Sequence, residues 1–239
     1  MKSGLLQHIE SANKLSQKLL AVLIDPDKAD KAALQKLVEL STDKVDLFLV
    51  GGSLVTGGDV DRTLQELKSI TDIPCIIFPG SPSQISAHAD AIFLLSLISG
   101  RNPDLLIGKH VEAAYQLKQS GIEIIPTAYI LIDGGRTTTV SYISSTVPIP
   151  RDKSGIAAVT ALAGEQLGLR VIYMDAGSGA DQSIPTNMIS AVRESSSIPI
   201  VVGGGIKTSE GIKDAWSAGA DIVVVGNHLE QNPDFLKEL

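Results

Sequence analysis

The sequence predicts an α/β fold, a TIM (β/α)8 barrel that forms a single domain over residues 1–239. Eight short apolar runs alternate with segments whose apolar residues recur every three to four positions, which is the pattern of alternating strands and helices. The runs are almost continuously apolar, as in a parallel sheet that helices cover on both faces. A length of 239 residues suits one such barrel. An open doubly wound sheet is the alternative, because counting strands does not demonstrate that the sheet closes.

The eight predicted strands are not evenly spaced. They begin near Leu19, Asp46, Cys75, Ala91, Glu123, Val171, Ile198 and Ile222. The third and fourth strands start only 16 residues apart, which predicts a shortened or absent third helix. The fifth and sixth strands start 48 residues apart, which predicts an extended loop over residues 134–152 on the catalytic side, as a candidate lid.

Composition narrows the functional classes. The chain has 20 basic and 27 acidic residues, and its net charge of −7 opposes general binding to nucleic acid or to an anionic membrane. No run approaches the roughly 20 apolar residues of a membrane helix, and the amino-terminal segment lacks the pattern of a signal peptide. The lone Cys75 forms no internal disulfide. We therefore expect a cytoplasmic protein that does not insert stably into membranes, and we expect a homo-oligomer.

Glycines follow the last two predicted strands, where barrel enzymes commonly bind phosphate. The motif VVGGGI places Gly203–Gly205 after the seventh strand, and VVVGN places Gly226 and Asn227 after the eighth. Free backbone N–H groups beside a helix amino terminus attract an anion. The motifs therefore predict a phosphate site, with tight turns as the structural alternative.

Carboxylate and hydroxyl groups follow the first two predicted strands. Asp25 and Asp27 lie in LIDPDK, and Ser53 ends VGGS. Such hard oxygen ligands suit Mg²⁺, which usually completes its shell with water and substrate phosphate. Helix capping by Asp27 or Asp30 and a turn stabilised by Ser53 are the alternative roles.

Six motifs in one order carry a resemblance to a known family. The motifs LIDPDK, VGGS, SLISGRNP, YMDAGSGA, VGGGI and VGN closely resemble those of the geranylgeranylglyceryl phosphate synthases, a family that includes bacterial heptaprenylglyceryl phosphate synthases. The resemblance extends from Asp25 to Asn227. It implies a Mg²⁺-dependent prenyltransferase that joins the 3-hydroxyl of sn-glycerol 1-phosphate to a polyprenyl diphosphate, chiefly geranylgeranyl diphosphate. The products are an ether and free diphosphate.

The resemblance also implies roles for individual residues. Asp25 and Ser53 hold Mg²⁺, while Tyr173 and Asp175 are the catalytic residues. Many members of the family carry glutamate where this chain has Asp175, so its catalytic reach is shorter. The residues implied to bind substrate are Tyr129, Tyr173, Met174, Asp175, Ala176, Gly177, Ser178, Gly179, Gly204, Gly205, Gly226 and Asn227.

Two other function classes share part of this pattern. Another phosphate-binding barrel enzyme, such as a sugar-phosphate isomerase or a cyclase, needs the glycine loops but not the pair Asp25 and Ser53. That enzyme would also not need the segment from Tyr173 to Gly179 together with this pair. A non-catalytic phosphate-binding barrel keeps the glycines and has no use for a metal pair. Mg²⁺-dependent release of diphosphate from a prenyl diphosphate distinguishes the three classes.

Overall fold

The computed structural model describes residues 4–239 and contains a closed barrel of eight parallel strands in sequential order. The strands are β1 Leu19–Ile24, β2 Leu47–Gly52, β3 Cys75–Pro79, β4 Ala91–Leu97, β5 Glu123–Leu131, β6 Val171–Asp175, β7 Ile200–Gly203 and β8 Ile222–Val225. Pairing of β1 with β8 closes the sheet, so the predicted barrel is confirmed and the open sheet is excluded. The strand starts agree with the prediction except that β2 begins at Leu47 and β7 at Ile200.

The helices surround the barrel and close one end of it. They are α1 Leu5–Lys14, α2 Lys31–Ser41, α3 Val60–Ile70, α4 Lys109–Ser120, α5 Thr139–Ser144, α6 Ser154–Gln166, α7 Thr186–Ser195, α8 Ser209–Ser217 and α9 Asn227–Gln231. Helix α1 packs Ile9 and Ala12 against the barrel interior. Its first backbone N–H groups donate to the carboxylate of Glu123, at the start of β5. The amino-terminal end of the barrel is therefore covered, and the carboxyl ends of the strands remain accessible.

Successive side chains along a strand point to opposite faces of the sheet. They therefore form two apolar layers, one inside the barrel and one between the strands and the helices. In β6, Val171 and Tyr173 point into the barrel, whereas Ile172 and Met174 pack in the layer between the strands and the helices. The same alternation directs Asp175, at the end of β6, toward the mouth of the barrel. A ligand at the mouth can therefore contact those side chains at the strand ends that point into the barrel.

The two irregular spacings have structural counterparts. Between β3 and β4 the chain forms only a short 3₁₀ turn at Pro82–Gln84, which confirms that the third barrel helix is absent. The segment after β5 contains α5, and Ile132 pairs with Ile149 across it. Arg136 and Thr139 of this segment line the barrel mouth, so the extended loop lies on the predicted side. Its motion as a lid stays a prediction.

Across the described residues, none of the helices combines the length and the apolar character that a membrane span requires.

Candidate active site

A polar cavity lies at the mouth of the barrel, between the loops that follow β1, β2, β6, β7 and β8. It brings together eleven of the predicted site residues: Asp25, Ser53, Tyr173, Asp175, Gly177, Ser178, Gly179, Gly204, Gly205, Gly226 and Asn227. These residues are far apart in the sequence but meet here because parallel strands end at the same rim of a barrel.

An apolar cavity adjoins the polar one. It runs between β3, β4, α4 and α5, and encloses about 910 Å³ including its opening to solvent. Its walls include Ile85, Ile92, Leu94, Leu105, Leu117, Val140 and Ile143. Ile92 and Leu94 belong to the outer face of β4, beside the position of the absent third helix. Tyr129 lines this cavity, and Ser53 and Phe78 line both cavities, so the two spaces meet at the ends of β2 and β3.

The glycine loops form a backbone cradle on one side of the polar cavity. Gly177, Gly179, Gly204 and Gly205 have φ between +72° and +89°, a region that glycine adopts without steric cost. A Cβ at Gly204 would lie 2.7 Å from the backbone nitrogen of Gly177, so the loops after β6 and β7 pack backbone to backbone. This close approach requires glycine at position 204.

Four backbone N–H groups of the cradle have no hydrogen-bond partner among the described residues. Among residues 4–239, the backbone N–H groups of Ser178, Gly179, Gly204 and Gly205 donate no hydrogen bonds. The hydroxyl of Ser178 donates to Oδ1 of Asn227 at 2.7 Å, which joins the loops after β6 and β8. Free N–H groups in such a concave backbone are suited to a phosphate group.

Asp175 is a buried carboxylate held by two hydrogen bonds. The backbone N–H of Gly177 donates to its Oδ1 at 2.7 Å, and the hydroxyl of Tyr129 donates to its Oδ2 at 2.5 Å. Burial raises the pKa of Asp175 above its ordinary value, and these two hydrogen bonds oppose that rise. A carboxyl group with a raised pKa beside a cavity is suited to accept a proton.

Two tyrosines flank this carboxylate and remain protonated. Burial, and next the charge of Asp175, raise the pKa of Tyr129 and of Tyr173 well above the ordinary value. The Tyr173 hydroxyl has no hydrogen-bond partner among the residues that the structure describes, and its side chain lines the polar cavity. Tyr173 is therefore free to donate a hydrogen bond to a ligand at this site.

Asp25 and Ser53 follow β1 and β2 and line the same polar cavity. Oδ1 of Asp25 accepts from the backbone N–H of Asp27 at 3.0 Å, and Oδ2 lies 3.2 Å from Nζ of Lys28. The Ser53 hydroxyl makes no hydrogen bond within residues 4–239. No three His, Cys, Asp or Glu side chains of the described chain converge as a metal site. Two oxygen donors fit Mg²⁺ only when diphosphate and water complete its shell.

Asp27 has a structural role, which the sequence analysis had given as the alternative to metal binding. Its carboxylate accepts hydrogen bonds from the backbone N–H groups of Thr56, Gly57 and Gly58, and thereby ties the loop after β1 to the loop after β2. Asp30 caps α2 by accepting from the N–H of Ala33. Asp25 is therefore the carboxylate of LIDPDK that lines the polar cavity.

Two predicted substrate-binding residues lie outside both cavities. The side chains of Met174 and Ala176 line neither cavity, because they point outward and are buried in the layer between the barrel and the helices. The backbone N–H of Ala176 is also engaged, since it donates to the oxygen of Gly203 at 3.0 Å. The alternation of side chains along β6 therefore separates Met174 and Ala176 from Tyr173 and Asp175, and their contact with substrate stays a prediction.

The basic side chains at the mouth of the barrel were not predicted by the sequence analysis. Arg136, in the extended loop, and Lys207, directly after the three glycines, both line the polar cavity. Lys28 lies 2.8 Å from Oε2 of Glu230 as well as close to Asp25. Arg136 and Lys207 could have been inferred from the sequence, because they lie beside loops that were predicted to form the mouth. The pairing of Lys28 with Glu230 could not, because the two residues are far apart in the sequence and only the fold brings them together.

Comparison with known proteins gives a consistent family. The family model described as the PcrB family matches residues 10–239. A geranylgeranylglyceryl phosphate synthase of Spirosoma linguale is 54% identical over 228 residues, covering 95% of this chain and 92% of the relative. Another of the same name, from Chitinophaga pinensis, is 54% identical over 223 residues, covering 93% of this chain and 88% of the relative.

A solved structure is similar over almost the whole chain. The crystal structure of (S)-3-O-geranylgeranylglyceryl phosphate synthase from Thermoplasma acidophilum, in complex with its substrate sn-glycerol-1-phosphate, has a TM-score of 0.90 and 34% identity. The match covers 98% of this chain and 94% of that protein.

The buried carboxylate predicts a pH-dependent difference between the wild type and Asp175→Asn. An asparagine keeps the shape, accepting from Gly177 and donating to Tyr129. Because the pKa of Asp175 is raised on folding, its contribution to stability is fully present below the unfolded pKa and is lost as pH rises through the folded pKa. We expect the free energy of unfolding of Asp175→Asn to increase relative to the wild type from acidic to neutral pH. Urea unfolding across this range measures it, and a difference independent of pH contradicts the burial argument.

Proposed function

This chain belongs to the PcrB family, and from that premise we propose that it is a Mg²⁺-dependent prenyltransferase. The reaction joins the 3-hydroxyl of sn-glycerol 1-phosphate to a polyprenyl diphosphate, chiefly geranylgeranyl diphosphate, as an ether. The observation that carries the proposal is that a glycine cradle and a buried carboxylate line a polar cavity that adjoins an apolar one. A sugar-phosphate isomerase or cyclase has no use for the apolar cavity.

The cradle suits the acceptor, glycerol phosphate. The phosphate group binds the free N–H groups of the loops after β6 and β7, together with Gly226 and Asn227. The glycerol then extends toward Tyr173 and Asp175, on the inner side of the same cavity. The cradle is chiral, so one enantiomer of glycerol phosphate presents its free primary hydroxyl to Asp175.

The apolar cavity suits the donor, a prenyl diphosphate. Its hydrocarbon chain gains by leaving water for the walls formed by β4, α4 and α5. Its diphosphate remains at the polar end, beside Asp25 and Ser53. Negative charge on the departing diphosphate is neutralised by Mg²⁺ when the ion is bound there.

The chain's own groups complete the transfer. The bond between the allylic C1 and the diphosphate oxygen breaks, and its electron pair leaves with the diphosphate. A lone pair of the glycerol 3-oxygen forms the new bond to C1, and the hydroxyl proton passes to the carboxylate of Asp175. Tyr129 and Gly177 hold that carboxylate, which fixes the direction from which it receives the proton.

A homo-oligomer is part of the same proposal. Val111 and Tyr115 on α4 and Tyr142 on α5 are large apolar side chains that are 69–76% exposed. Exposed apolar residues grouped on neighbouring elements are typical of surfaces that another subunit covers.

The direct test incubates the protein with geranylgeranyl diphosphate, Mg²⁺ and each enantiomer of glycerol phosphate. We expect sn-glycerol 1-phosphate to give an ether, identified by its mass, with one diphosphate released per ether. The 3-phosphate enantiomer should react at least about tenfold more slowly, because its hydroxyl is misplaced relative to Asp175. Absence of the ether, or equal rates with both enantiomers, contradicts the proposal.

The metal role predicts the effect of Asp25→Asn. Neutralising one of two protein ligands should lower kcat/KM by about 100-fold or more, since several kcal/mol of charge stabilisation are lost. The measurement is steady-state kinetics over a series of Mg²⁺ concentrations, together with the melting temperature. Asp43→Asn is the matched control, because Asp43 is exposed and lines neither cavity. Wild-type kinetics in Asp25→Asn removes this residue from the metal role.

The phosphate cradle predicts a selective effect of Gly226→Ala. Gly226 has a negative φ, and an added Cβ would meet only the Leu23 side chain and backbone oxygen at 3.4–3.7 Å. We expect the KM for glycerol phosphate to rise about tenfold while the KM for the donor is unchanged. Gly204→Ala is unsuitable, because its Cβ would overlap the backbone of Gly177. If both KM values rise together as the melting temperature falls, Gly226 has a structural role instead.

A further inference from the structure

Phe78 occupies the place where the two cavities meet. Among the described residues, only Phe78 and Ser53 line both the polar and the apolar cavity. Phe78 is the fourth residue of β3, and its side chain packs in the interior layer with only 6% exposure. The sequence prediction assigned it no role.

The ring of Phe78 adjoins the side chains that hold the reacting groups. Its centroid lies 4.8 Å from that of Tyr173, with 31° between the planes, and 5.9 Å from that of Tyr129, with 69° between the planes. Tyr129 donates to Asp175, so the ring is one residue away from the carboxylate. The position of Phe78 is therefore fixed relative to both tyrosines.

The following step rests on the proposed function. When the diphosphate lies beside Asp25 and Ser53 and the hydrocarbon chain fills the apolar cavity, the allylic carbons must cross the junction of the cavities. Ser53 faces the diphosphate there. The ring of Phe78 is the apolar group that lines both cavities there, and it therefore lies beside the allylic carbons.

We propose that Phe78 is a catalytic residue that stabilises positive charge on the allylic carbons. As the C1–O bond breaks, its electron pair goes to the diphosphate and the allyl group becomes electron-poor. The negative face of an aromatic ring attracts such a cation, most strongly where water is excluded. The glycerol 3-oxygen then forms the C–O bond and its proton goes to Asp175. Phe78 gains and loses no atoms.

A second phenylalanine of the same cluster provides a matched control. Phe93 also packs against Tyr173, with 6.1 Å between the ring centroids, and it is only 1% exposed. It lines neither cavity. A substitution that acts by disturbing the packing of the aromatic cluster should lower activity at both positions. A substitution that weakens attraction to a cation at the junction should lower activity only at Phe78.

The test replaces Phe78 with phenylalanines that carry one, two or three ring fluorines. Fluorine withdraws electron density from the ring face while changing its size little, so the attraction to a cation weakens stepwise. We expect log kcat to fall in order along the series, reaching a loss of about 30-fold, while both KM values stay within about twofold. Phe78→Leu, which keeps an apolar side chain, should show a similar loss. The same fluorine series at Phe93 should leave kcat unchanged.

Each other outcome overturns one specific statement. A flat series at Phe78 in an active enzyme, or equal decline at Phe78 and Phe93, overturns the role of Phe78 as a catalytic residue. A wild type that forms no ether overturns the proposed function instead. Melting temperatures for every variant separate loss of fold from loss of rate.

Discussion

The missing helix between β3 and β4 is the constraint on which the rest of the site depends. A parallel barrel normally buries the outer face of every strand under a helix, because outward-facing strand residues such as Ile92 and Leu94 are apolar. Here a 3₁₀ turn of three residues replaces that helix. The uncovered face becomes the wall of the apolar cavity, with α4 and α5 as the opposite walls. Each 100 Å² of apolar surface that a hydrocarbon ligand removes from water contributes about 2.5 kcal/mol.

A second constraint is the close contact of the loops after β6 and β7. Left-handed glycines let the backbones of Gly177 and Gly204 approach, and the same turn aims the N–H of Gly177 at Asp175. The glycine cradle and the support for the buried carboxylate are therefore one piece of backbone. The cost of burying Asp175 is reduced by two hydrogen bonds, one from this turn and one from Tyr129.

The fold was predictable from the sequence because apolar runs and their spacing report directly on strands and crossovers. The interval between Cys75 and Ala91 left no room for a helix, and none formed. The strand ends also identified Asp25, Ser53, Asp175 and the glycines as neighbours. The burial of Met174 and Ala176 outside both cavities was not foreseen, because a motif written as a string ignores the alternation along β6. Phe78 escaped notice because an apolar residue inside an apolar strand resembles any other core position.

The position of Phe78 shows how the two constraints act together. A reaction between a hydrocarbon diphosphate and a glycerol phosphate needs an apolar space and a polar one that open into each other. The two cavities meet at the ends of β2 and β3, where Ser53 supplies a hydroxyl and Phe78 supplies an apolar ring to both spaces. Had a helix covered β3 and β4, the apolar space would be absent and Phe78 would border only the polar mouth. The absence of this helix therefore leaves the ring of Phe78 beside both spaces.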